Sequence, residues 1–412
     1  MNRQEKGGRV PHRNVFIGLS GGVDSSVAAT LLKKQGHKIT GVFIKIWSPE
    51  WIGCTSKEDR LDAMRVCAHL NIPFREIDLT KEYKREVVDY MVSEYKAGRT
   101  PNPDVMCNRK IKFGKFFDWA VSQGADFVAT GHYARIAKAQ NTDLSKIQTK
   151  HKTQYPKLLT TNHLLLTGID SSKDQTYFLW TLTQRELSRT LFPVGHLTKP
   201  AVRKLAKKFG LPTAEKKDSQ GLCFLGPIDV KAFLKQHIKP KRGNVLNFKG
   251  ETIGTHESAT FYTLGERRGF IITKKSSTDE PYYVVAKDIR NNTLIVSTNP
   301  YDSFDIRSHN YKTSPGKDEI TALVNSSKKV FEIGGMSWIN GAPKNSKQKL
   351  YARIRYRQQL QKCELTFKGN CKTAKVSFDC PQSGGAPGQS VVFYSGNQCL
   401  GGGIIKKSNT GY

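Results

Sequence analysis

Through about residue 226, the chain alternates short apolar runs with longer segments whose apolar residues recur at helical spacing. The apolar runs predict strands at residues 14–19, 39–46, 74–79 and 126–130. The periodic segments predict helices at residues 25–34, 57–70, 81–96, 112–123, 200–209 and 229–237. Strands and helices that alternate in this way build a parallel sheet with helices on both faces. We therefore expect a doubly wound α/β domain over residues 1–226, interrupted by a polar insertion at about residues 139–163.

After about residue 242, the pattern changes to short Val, Ile, Tyr and Phe runs separated by Gly and Asn turns. These runs are YYVVA, NTLIVS, LYARIRYR, KVSFD and QSVVFYSG. Short strands with frequent turns are typical of all-β domains. The pattern predicts a small β-rich domain at residues 227–302 and a β-barrel at residues 303–412, with a polar loop at about residues 312–329.

The string SGGVDSS, from Ser20 to Ser26, joins the first predicted strand to the first predicted helix. Two adjacent glycines permit a tight turn there, and the free N–H groups at a helix start suit an anion. The string is not a Walker A loop, because no Gly-Lys-Ser/Thr follows, and its adjacent glycines do not match G-x-G-x-x-G. It therefore predicts an anion site without identifying the anion.

Eight cysteines are spread along the chain, without CxxC pairs or zinc-type spacing. Cys107 follows an Asn-Pro-Asp-Val segment at the predicted start of a helix, close to several basic residues, and such an environment favours a reactive thiol. Cys223 stands between two glycines in a predicted loop. Two loop thiols far apart in sequence suggest sulfur transfer, in which one carries the sulfur and the other resolves the disulfide. A buried structural role is the alternative for Cys107, and the other six are expected to be bystanders, with Cys399 facing the core.

The chain has a net charge of +31, from 66 basic and 35 acidic residues, which favours a polyanionic partner, RNA or DNA. A generally lysine-rich composition is the alternative. Arg353, Arg355 and Arg357 alternate with apolar residues, which predicts a basic strand face suited to phosphate. No apolar run approaches the length of a membrane span, and no signal-peptide pattern precedes the first strand. These features, with the sparse cysteines, predict a reducing cytoplasmic location.

Eight motifs stand in order along the chain: GLSGGVDSSVAA, GRTPNPDVMCN, ATGHYAR, KDQTYFL, DSQGLCFLG, FYTLG-RRG, RIRYRQ and PGQSVVFY. Together they resemble the tRNA-specific 2-thiouridylases (the MnmA/TrmU family), which belong to the PP-loop ATP pyrophosphatases, over nearly all of the chain outside the two insertions. The resemblance implies ATP-dependent adenylation of the C2 oxygen of the wobble uridine in tRNAs for Glu, Gln and Lys. Persulfide sulfur transfer would then give 2-thiouridine, AMP and pyrophosphate. Another PP-loop enzyme acting on a small-molecule carbonyl is the alternative.

The resemblance also implies roles for individual residues. Cys107 matches the nucleophile, Cys223 the cysteine that receives a persulfide from a donor protein, and Asp104 the candidate general acid or base. The positions that match the ATP site are Gly18, Leu19, Ser20, Gly21, Gly22, Val23, Asp24, Ser25, Ser26, Ile44 and Gly131. Those that match tRNA contacts are Asn102, Pro103, Asp104, His132, Lys173, Asp174, Gln175, Arg355, Tyr356 and Gln389.

Two further expectations concern the metal ion and position 266. Mg²⁺ is expected to accompany ATP, with Asp24 close to it, and no protein-ligated structural metal is expected. Glu266 departs from the glutamine usual in this segment of the family, so a side-chain donor is lost and a negative charge is gained.

Overall fold

The computed structural model of the protein describes residues 12–49, 55–139, 162–218, 229–273, 280–302, 329–343, 345–368 and 373–408. The chain divides into two compact units. The first comprises residues 1–84 and 106–227, and the second comprises residues 85–105 and 228–412.

A five-stranded parallel sheet in the order β3-β2-β1-β4-β7 forms the centre of the first unit. Its strands are β1 (Asn14–Gly18), β2 (Lys38–Lys45), β3 (Phe74–Asp78), β4 (Phe127–Ala129) and β7 (Thr190–Leu191). An antiparallel hairpin outside this parallel sheet pairs β5 (Ala134–Lys138) with β6 (His163–Thr167). The doubly wound sheet expected from the alternating pattern is confirmed, whereas the hairpin and β7 were not anticipated.

The helices of this unit pack on the sheet through their apolar residues. They are α1 (Val23–Lys34), α2 (Thr55–His69), α3 (Thr80–Tyr83), α6 (Phe117–Ser122), α7 (Gln184–Leu187) and α8 (Lys199–Lys208). Val15 and Ile17 of β1 and Val27 of α1 are fully buried in one apolar cluster. Burying side chains of this size stabilises the fold by about 1.5–3 kcal/mol each, so the start of α1 is held firmly against the sheet.

Two helical stretches contain wide π-type turns. The first continues from α3 through a π helix at Lys84–Asp89 to α4 (Tyr90–Lys96), and the second runs from α5 (Pro103–Met106) through a π helix at Cys107–Phe116. The second begins well before its predicted start at residue 112. The reason is local: the Asn102 side chain accepts a hydrogen bond from the Val105 N–H at 3.3 Å, and Pro103 occupies the first helical position. The Asn-Pro-Asp-Val segment therefore starts this helix.

The second unit contains a five-stranded sheet in the order β10-β9-β8-β12-β11. Its strands are β8 (Gly243–Leu246), β9 (Thr252–His256), β10 (Ile271–Ile272), β11 (Tyr283–Asp288) and β12 (Thr293–Ser297), preceded by α9 (Val230–Lys235). Only the β8–β12 pair is parallel among those described. Val285 and Ile295 lie at the centre of the small core. This is the expected β-rich central domain.

Six antiparallel strands close into the C-terminal barrel. They are β13 (Val330–Trp338), β14 (Lys347–Arg353), β15 (Gln361–Lys368), β16 (Thr373–Phe378), β17 (Ser390–Ser395) and β18 (Gln398–Ser408). The barrel closes because β13 pairs with both β16 and β18. Its core includes Phe331, Phe393 and Ile405, none of them accessible to solvent. The predicted barrel is confirmed. Within the described residues, no helix combines the length and the apolar character needed to cross a bilayer.

Glu266, which stands where the family usually has glutamine, contacts other residues of the central domain. Its carboxylate lies 2.6 Å from the Lys231 ammonium and accepts the Thr263 N–H at 3.0 Å. The fully buried Lys287 donates to the Tyr262 carbonyl at 2.5 Å. Burial lowers the pKa of Lys287 to about 7, against the opposing influence of the Glu266 charge. The carboxylate therefore serves as a counter-charge within this domain.

Substituting Lys287→Met tests the buried ammonium. Above about pH 7, folded Lys287 loses a proton that the unfolded side chain, with an ordinary pKa of 10.5, keeps. This difference makes the wild-type free energy of unfolding rise with pH, by at most about 1.4 kcal/mol per pH unit. Any gain in melting temperature of the variant over wild type should therefore shrink from pH 7 to pH 8.5 in calorimetry. Lys249→Met, on an exposed turn of this domain, is the matched control. A difference that stays constant over this pH range would contradict the assignment.

Candidate active site

The SGGVDSS loop leaves the sheet through a hydrogen bond from the Leu19 N–H to the Val42 carbonyl at 2.8 Å, which extends the β1–β2 pairing. Gly21 then adopts a positive φ of 69°. A Cβ at this position would lie 2.4 Å from the backbone oxygen of Asp59 in α2. Only glycine therefore allows the loop to pass this close to α2.

Serine side chains fix the inner edge of the loop. The hydroxyls of Ser25 and Ser26 donate to the Gly22 carbonyl at 3.1 and 2.8 Å, and the Ser20 N–H donates to the Ser25 hydroxyl at 3.3 Å. Gly22 is the N-cap of α1 and provides no side-chain cap. The first-turn N–H groups have no acceptor within the helix, and such a helix start suits an external anion.

Gly131 follows β4, the neighbour of β1 in the sheet. A Cβ on Gly131 would lie 2.7 Å from the Ser25 nitrogen and 2.8 Å from the Asp24 carbonyl carbon. The backbone after β4 therefore contacts the first turn of α1 directly. The order of strands reverses between β1 and β4, and a crevice at such a reversal is where open α/β sheets bind ligands. Gly18 ends β1 at this edge, and Ile44 lies near the same end of β2.

The Asp24 carboxylate accepts three hydrogen bonds. Tyr133 donates its hydroxyl to Oδ1 at 2.7 Å, and the Lys199 ammonium lies 2.7 and 2.8 Å from the two oxygens. Burial and the Asp24 charge together raise the pKa of the Tyr133 hydroxyl far above its ordinary value. Tyr133 therefore stays protonated and serves as a hydrogen-bond donor.

Asp218 continues this network. Its carboxylate lies 2.9 Å from Lys199, 2.9 Å from Lys173 and 2.6 Å from Arg203. Burial by itself would raise the pKa of Asp218, but hydrogen bonds from Lys199 and Lys173 lower it well below its ordinary value. Asp218 is therefore ionised at neutral pH and ties α8 to the loop that carries Lys173.

The predicted tRNA-contact segment Lys173-Asp174-Gln175 lies next to this network. Asp174 is buried and accepts the Gly168 N–H at 3.1 Å and the Thr176 hydroxyl at 3.0 Å. Gln175 accepts the Tyr133 N–H through its side chain at 2.9 Å and donates its own N–H to the Tyr133 carbonyl at 3.0 Å. In this structure both residues shape the loop and hold Tyr133 in place; their contact with tRNA stays a prediction.

His132 is buried beside Gly131, and its Nδ1 lies 2.7 Å from the Thr130 hydroxyl. Its ring packs between Phe113 and Phe192, with centroids 5.9 Å from each. Burial first, and then the Lys112 charge, lower the pKa of His132 well below 6.5. The imidazole is therefore neutral at physiological pH, and its predicted role toward tRNA stays a prediction.

Cys107 is the first residue of the π helix and exposes 1% of its surface. Its neighbour Asn108 donates its side-chain amide to the Phe178 carbonyl at 3.4 Å, while Asn108 Oδ1 has no hydrogen-bond partner among the described residues. Asn102, Pro103 and Asp104 are partly exposed at the start of the preceding helix α5. The structure thus places the candidate nucleophile inside a helix and buried.

The prediction that Arg353, Arg355 and Arg357 form the basic face of one strand is wrong, because β14 ends at Arg353. Arg353 is buried and donates to the Tyr394 hydroxyl at 3.0 Å. Arg355 donates to the Leu264 carbonyl at 3.1 Å, and Arg357 is exposed with a positive φ of 65°. The three arginines therefore have three different environments.

The other two residues matched to tRNA in the barrel are partly exposed. The Arg357 guanidinium lies 5.1 Å from the Tyr356 ring centroid, and the Gln389 side chain accepts the Ala386 N–H at 3.1 Å. The tRNA contacts matched to Arg355, Tyr356 and Gln389 stay predictions.

The remaining thiols include several in core positions. Burial raises the pKa of Cys67 to about 11 and that of Cys363 to about 12, as expected for unreactive side chains. Cys399 is fully buried in β18, which confirms its predicted core position. Cys380 is exposed. Cys54, Cys223 and Cys371 lie outside the described residues.

Sequence reasoning missed Tyr133, Lys199 and Asp218. Only one of them carries a local signal: Lys199 is the first residue of α8, where a cation opposes the helix dipole. A lysine in that position indicates carboxylates elsewhere in the fold. Nothing in the local pattern points to Asp24 as its partner, which is far away in sequence.

A glycine-rich turn at the strand-order reversal, a helix start without a side-chain cap, and no loop lysine define a PP-loop nucleotide-binding domain. Comparisons with known proteins narrow this class. The chain matches family models described as a tRNA methyl transferase HUP domain at residues 13–227, a tRNA methyl transferase PRC-barrel domain at 231–298 and an aminomethyltransferase β-barrel domain at 328–405.

Curated relatives match over almost the whole chain. A tRNA-specific 2-thiouridylase MnmA from Streptococcus sanguinis is 41% identical over 96% of this chain and 95% of its own length. Proteins of the same name from Alkaliphilus oremlandii and Pseudomonas putida are 43% and 42% identical, each over 95% of this chain and over 96% and 94% of their own lengths. The chain belongs to the tRNA-specific 2-thiouridylase (MnmA) family, which confirms the resemblance drawn from the motifs.

Substituting Gly131→Ala tests the close approach between the backbone after β4 and the first turn of α1. The added methyl group meets backbone atoms of Asp24 and Ser25, so the first turn of α1 must shift. We expect ATP affinity to fall on the order of tenfold or more, measured by calorimetry, because small displacements in a preorganised site have large effects.

Gly334→Ala, in β13 of the barrel, is the control for adding a methyl group to a glycine outside the proposed ATP site. There the new methyl group lies 3.2 Å from the end of the exposed Lys406 side chain, which can move aside. Equal losses of ATP affinity in the two variants would show that the contact between Gly131 and α1 is not what shapes the site.

Proposed function

We propose that this protein forms 2-thiouridine in tRNA by adenylating the C2 oxygen of the wobble uridine and then replacing that oxygen with sulfur. The observation that carries the proposal is the PP-loop, whose glycine turn and uncapped helix start suit the phosphates of ATP, in a chain of the 2-thiouridylase family. The excess of 31 positive charges supports a polyanionic partner.

The first chemical step joins the uridine C2 oxygen to the α-phosphate of ATP and releases pyrophosphate. A carbonyl oxygen is a poor leaving group, whereas AMP leaves readily, so adenylation prepares C2 for attack. The residues that we assign to the phosphates are those from Gly18 to Ser26, and we assign Ile44 and Gly131 to the rest of the nucleotide. The target base must leave its stack to reach the site.

The second step transfers the terminal sulfur of a persulfide on Cys223. In one route, the Cys107 thiolate attacks the Cys223 sulfur, and the released hydrosulfide attacks C2. In the other, the terminal sulfur attacks C2 first, and Cys107 then attacks the Cys223 sulfur. Both routes expel AMP and leave a Cys107–Cys223 disulfide, which an external thiol must reduce before the next cycle. We assign general acid or base duty to Asp104, three residues before Cys107.

Mg²⁺ is proposed to enter with ATP. In the part of the chain that the structure describes, no group of three or more His, Cys, Asp and Glu side chains is placed to hold a metal ion. The oxygens of Asp24 already contact Lys199 and Tyr133. The phosphate oxygens are therefore the more suitable ligands for this hard cation.

The proposed substrates are the tRNAs for Glu, Gln and Lys, and the sulfur is proposed to come from a persulfide-donor protein. The proposed tRNA contacts are Asn102, Pro103, Asp104, His132, Lys173, Asp174, Gln175, Arg355, Tyr356 and Gln389. Adenylation of a small-molecule carbonyl is the competing function, and its substrate would need no extended basic surface.

One assay tests the proposal. Purified protein is incubated with ATP, Mg²⁺, a persulfide donor and unmodified tRNA, and 2-thiouridine is measured by mass spectrometry. Cys107→Ser and Cys223→Ser should each abolish the product while leaving tRNA affinity within a few fold. Cys380→Ser, which changes an exposed thiol, should keep full activity. Thiolation that survives both Cys107→Ser and Cys223→Ser would exclude the two-thiol mechanism. If the wild-type protein binds tRNA but does not thiolate it, the proposed enzymatic activity is excluded.

A further inference from the structure

Lys199 lies beside the PP-loop, where its ammonium contacts two carboxylates. Its ammonium contacts both oxygens of Asp24 at 2.7 and 2.8 Å and one oxygen of Asp218 at 2.9 Å. Its side chain is 12% exposed, whereas those of Asp24 and Asp218 are 32% and 33% exposed. The lysine is thus largely enclosed, while its two partners face solvent on one side.

The location of Lys199 is unfavourable for a merely structural cation. It is the first residue of α8, close to the positive end of that helix dipole. It also approaches the first turn of α1 through Asp24, so a second helix start adds to the positive potential. The backbone N–H of Lys199 is itself held by the Asp170 carboxylate at 2.9 Å. Two helix starts and the Lys199 ammonium therefore converge beside the glycine turn, with carboxylates as their counter-charges.

The ion pairs around Lys199 join three cations, Lys199, Lys173 and Arg203, to the carboxylates of Asp24 and Asp218. Asp170, at the backbone N–H of Lys199, is a third carboxylate beside this cluster. The segment from Gly18 to Ser26 contains no basic residue, so the loop itself supplies no cation to a bound phosphate. Lys199, through its contact with Asp24, places a cation at the edge of this segment.

We propose that Lys199 binds the phosphates of ATP at the PP-loop by exchanging its contact with Asp218 for a phosphate oxygen. This inference rests on the proposed function. An ammonium has three protons, so it can keep the Asp24 carboxylate and contact phosphate with the proton that Asp218 now takes. Negative charge grows on the departing pyrophosphate during adenylation, and a fixed cation beside the loop stabilises it. Asp24 positions the ammonium.

A simple structural ion pair makes a different prediction. If Lys199 only ties α8 to Asp218, removing either partner breaks the same contact, and the two substitutions should weaken ATP binding equally. If Lys199 binds phosphate, Asp218 competes with ATP for it. Asp218→Asn should then leave ATP affinity unchanged or increase it, whereas Lys199→Met should decrease it.

The experiment measures the affinity of the full chain for ATP with Mg²⁺ by calorimetry, without tRNA. Lys199→Met should weaken binding about tenfold or more, the usual effect of losing one charged hydrogen bond. Lys199→Arg should restore most of it. Lys204→Met, which changes an exposed lysine of α8, should stay within about twofold of wild type.

A second measurement separates loss of folding from loss of the proposed phosphate contact. The affinity of each variant for tRNA, measured by filter binding, should match that of wild type and shows that the chain is folded. Equal losses of ATP affinity in Lys199→Met and Asp218→Asn would overturn the inference. Because ATP binding is measured directly, the result stands apart from 2-thiouridine formation, whose absence in wild type would count against the proposed function alone.

Discussion

The contact between the backbone after β4 and the first turn of α1 is the constraint on which the site depends. At Gly131 the two backbones approach so closely that a methyl group would lie 2.7 Å from the Ser25 nitrogen. Gly21 gives a similar approach on the side of α2. The helix start is therefore enclosed on both sides by backbone, which does not change rotamer. A site of this kind is preorganised, and preorganised N–H groups bind an anion without a large cost of ordering.

A layer of charged side chains surrounds this rigid centre. Asp24 contacts Lys199 and Tyr133, and Asp218 contacts Lys199, Lys173 and Arg203. Partial burial strengthens these interactions relative to exposed ion pairs, whose median contribution is about 0–1 kcal/mol. The carboxylates of Asp24 and Asp218 stay partly exposed, as the proposed exchange of Lys199 between Asp218 and phosphate requires. The loop after β6 also contacts this layer, because Gln175 forms hydrogen bonds with both the N–H and the carbonyl of Tyr133.

In the central domain, the charges of Lys231, Lys287 and Glu266 lie close together. Lys287 is fully buried with a pKa near 7, and Glu266 and Lys231 form a close pair beside Tyr262. A glutamine at position 266 could accept the same Thr263 N–H but could not balance either lysine. Here the carboxylate has partners inside the domain, so its negative charge is compensated rather than presented to an RNA phosphate.

The sequence by itself determined the architecture and the family. Alternation of apolar runs with helical periodicity predicted β1 to β4 nearly to the residue, because burial imposes the same periodicity wherever a sheet is covered on both faces. The string from Ser20 to Ser26 located the glycine turn and the uncapped helix start of α1, because adjacent glycines before a helix permit a tight turn there. The motifs around Cys107 and Cys223 identified the family and, with it, the proposed sulfur chemistry.

Tertiary structure alone decided which charges meet. Lys199 and Asp24 are distant in sequence, and their contact follows from the packing of α8 on α1. The alternating arginines from Arg353 to Arg357 looked like one basic face, but the strand ends at Arg353, and each side chain finds a separate partner or solvent. Local patterns report burial and backbone geometry, which are set over a few residues. Ion pairs depend on where separate elements converge, and only the folded chain fixes that.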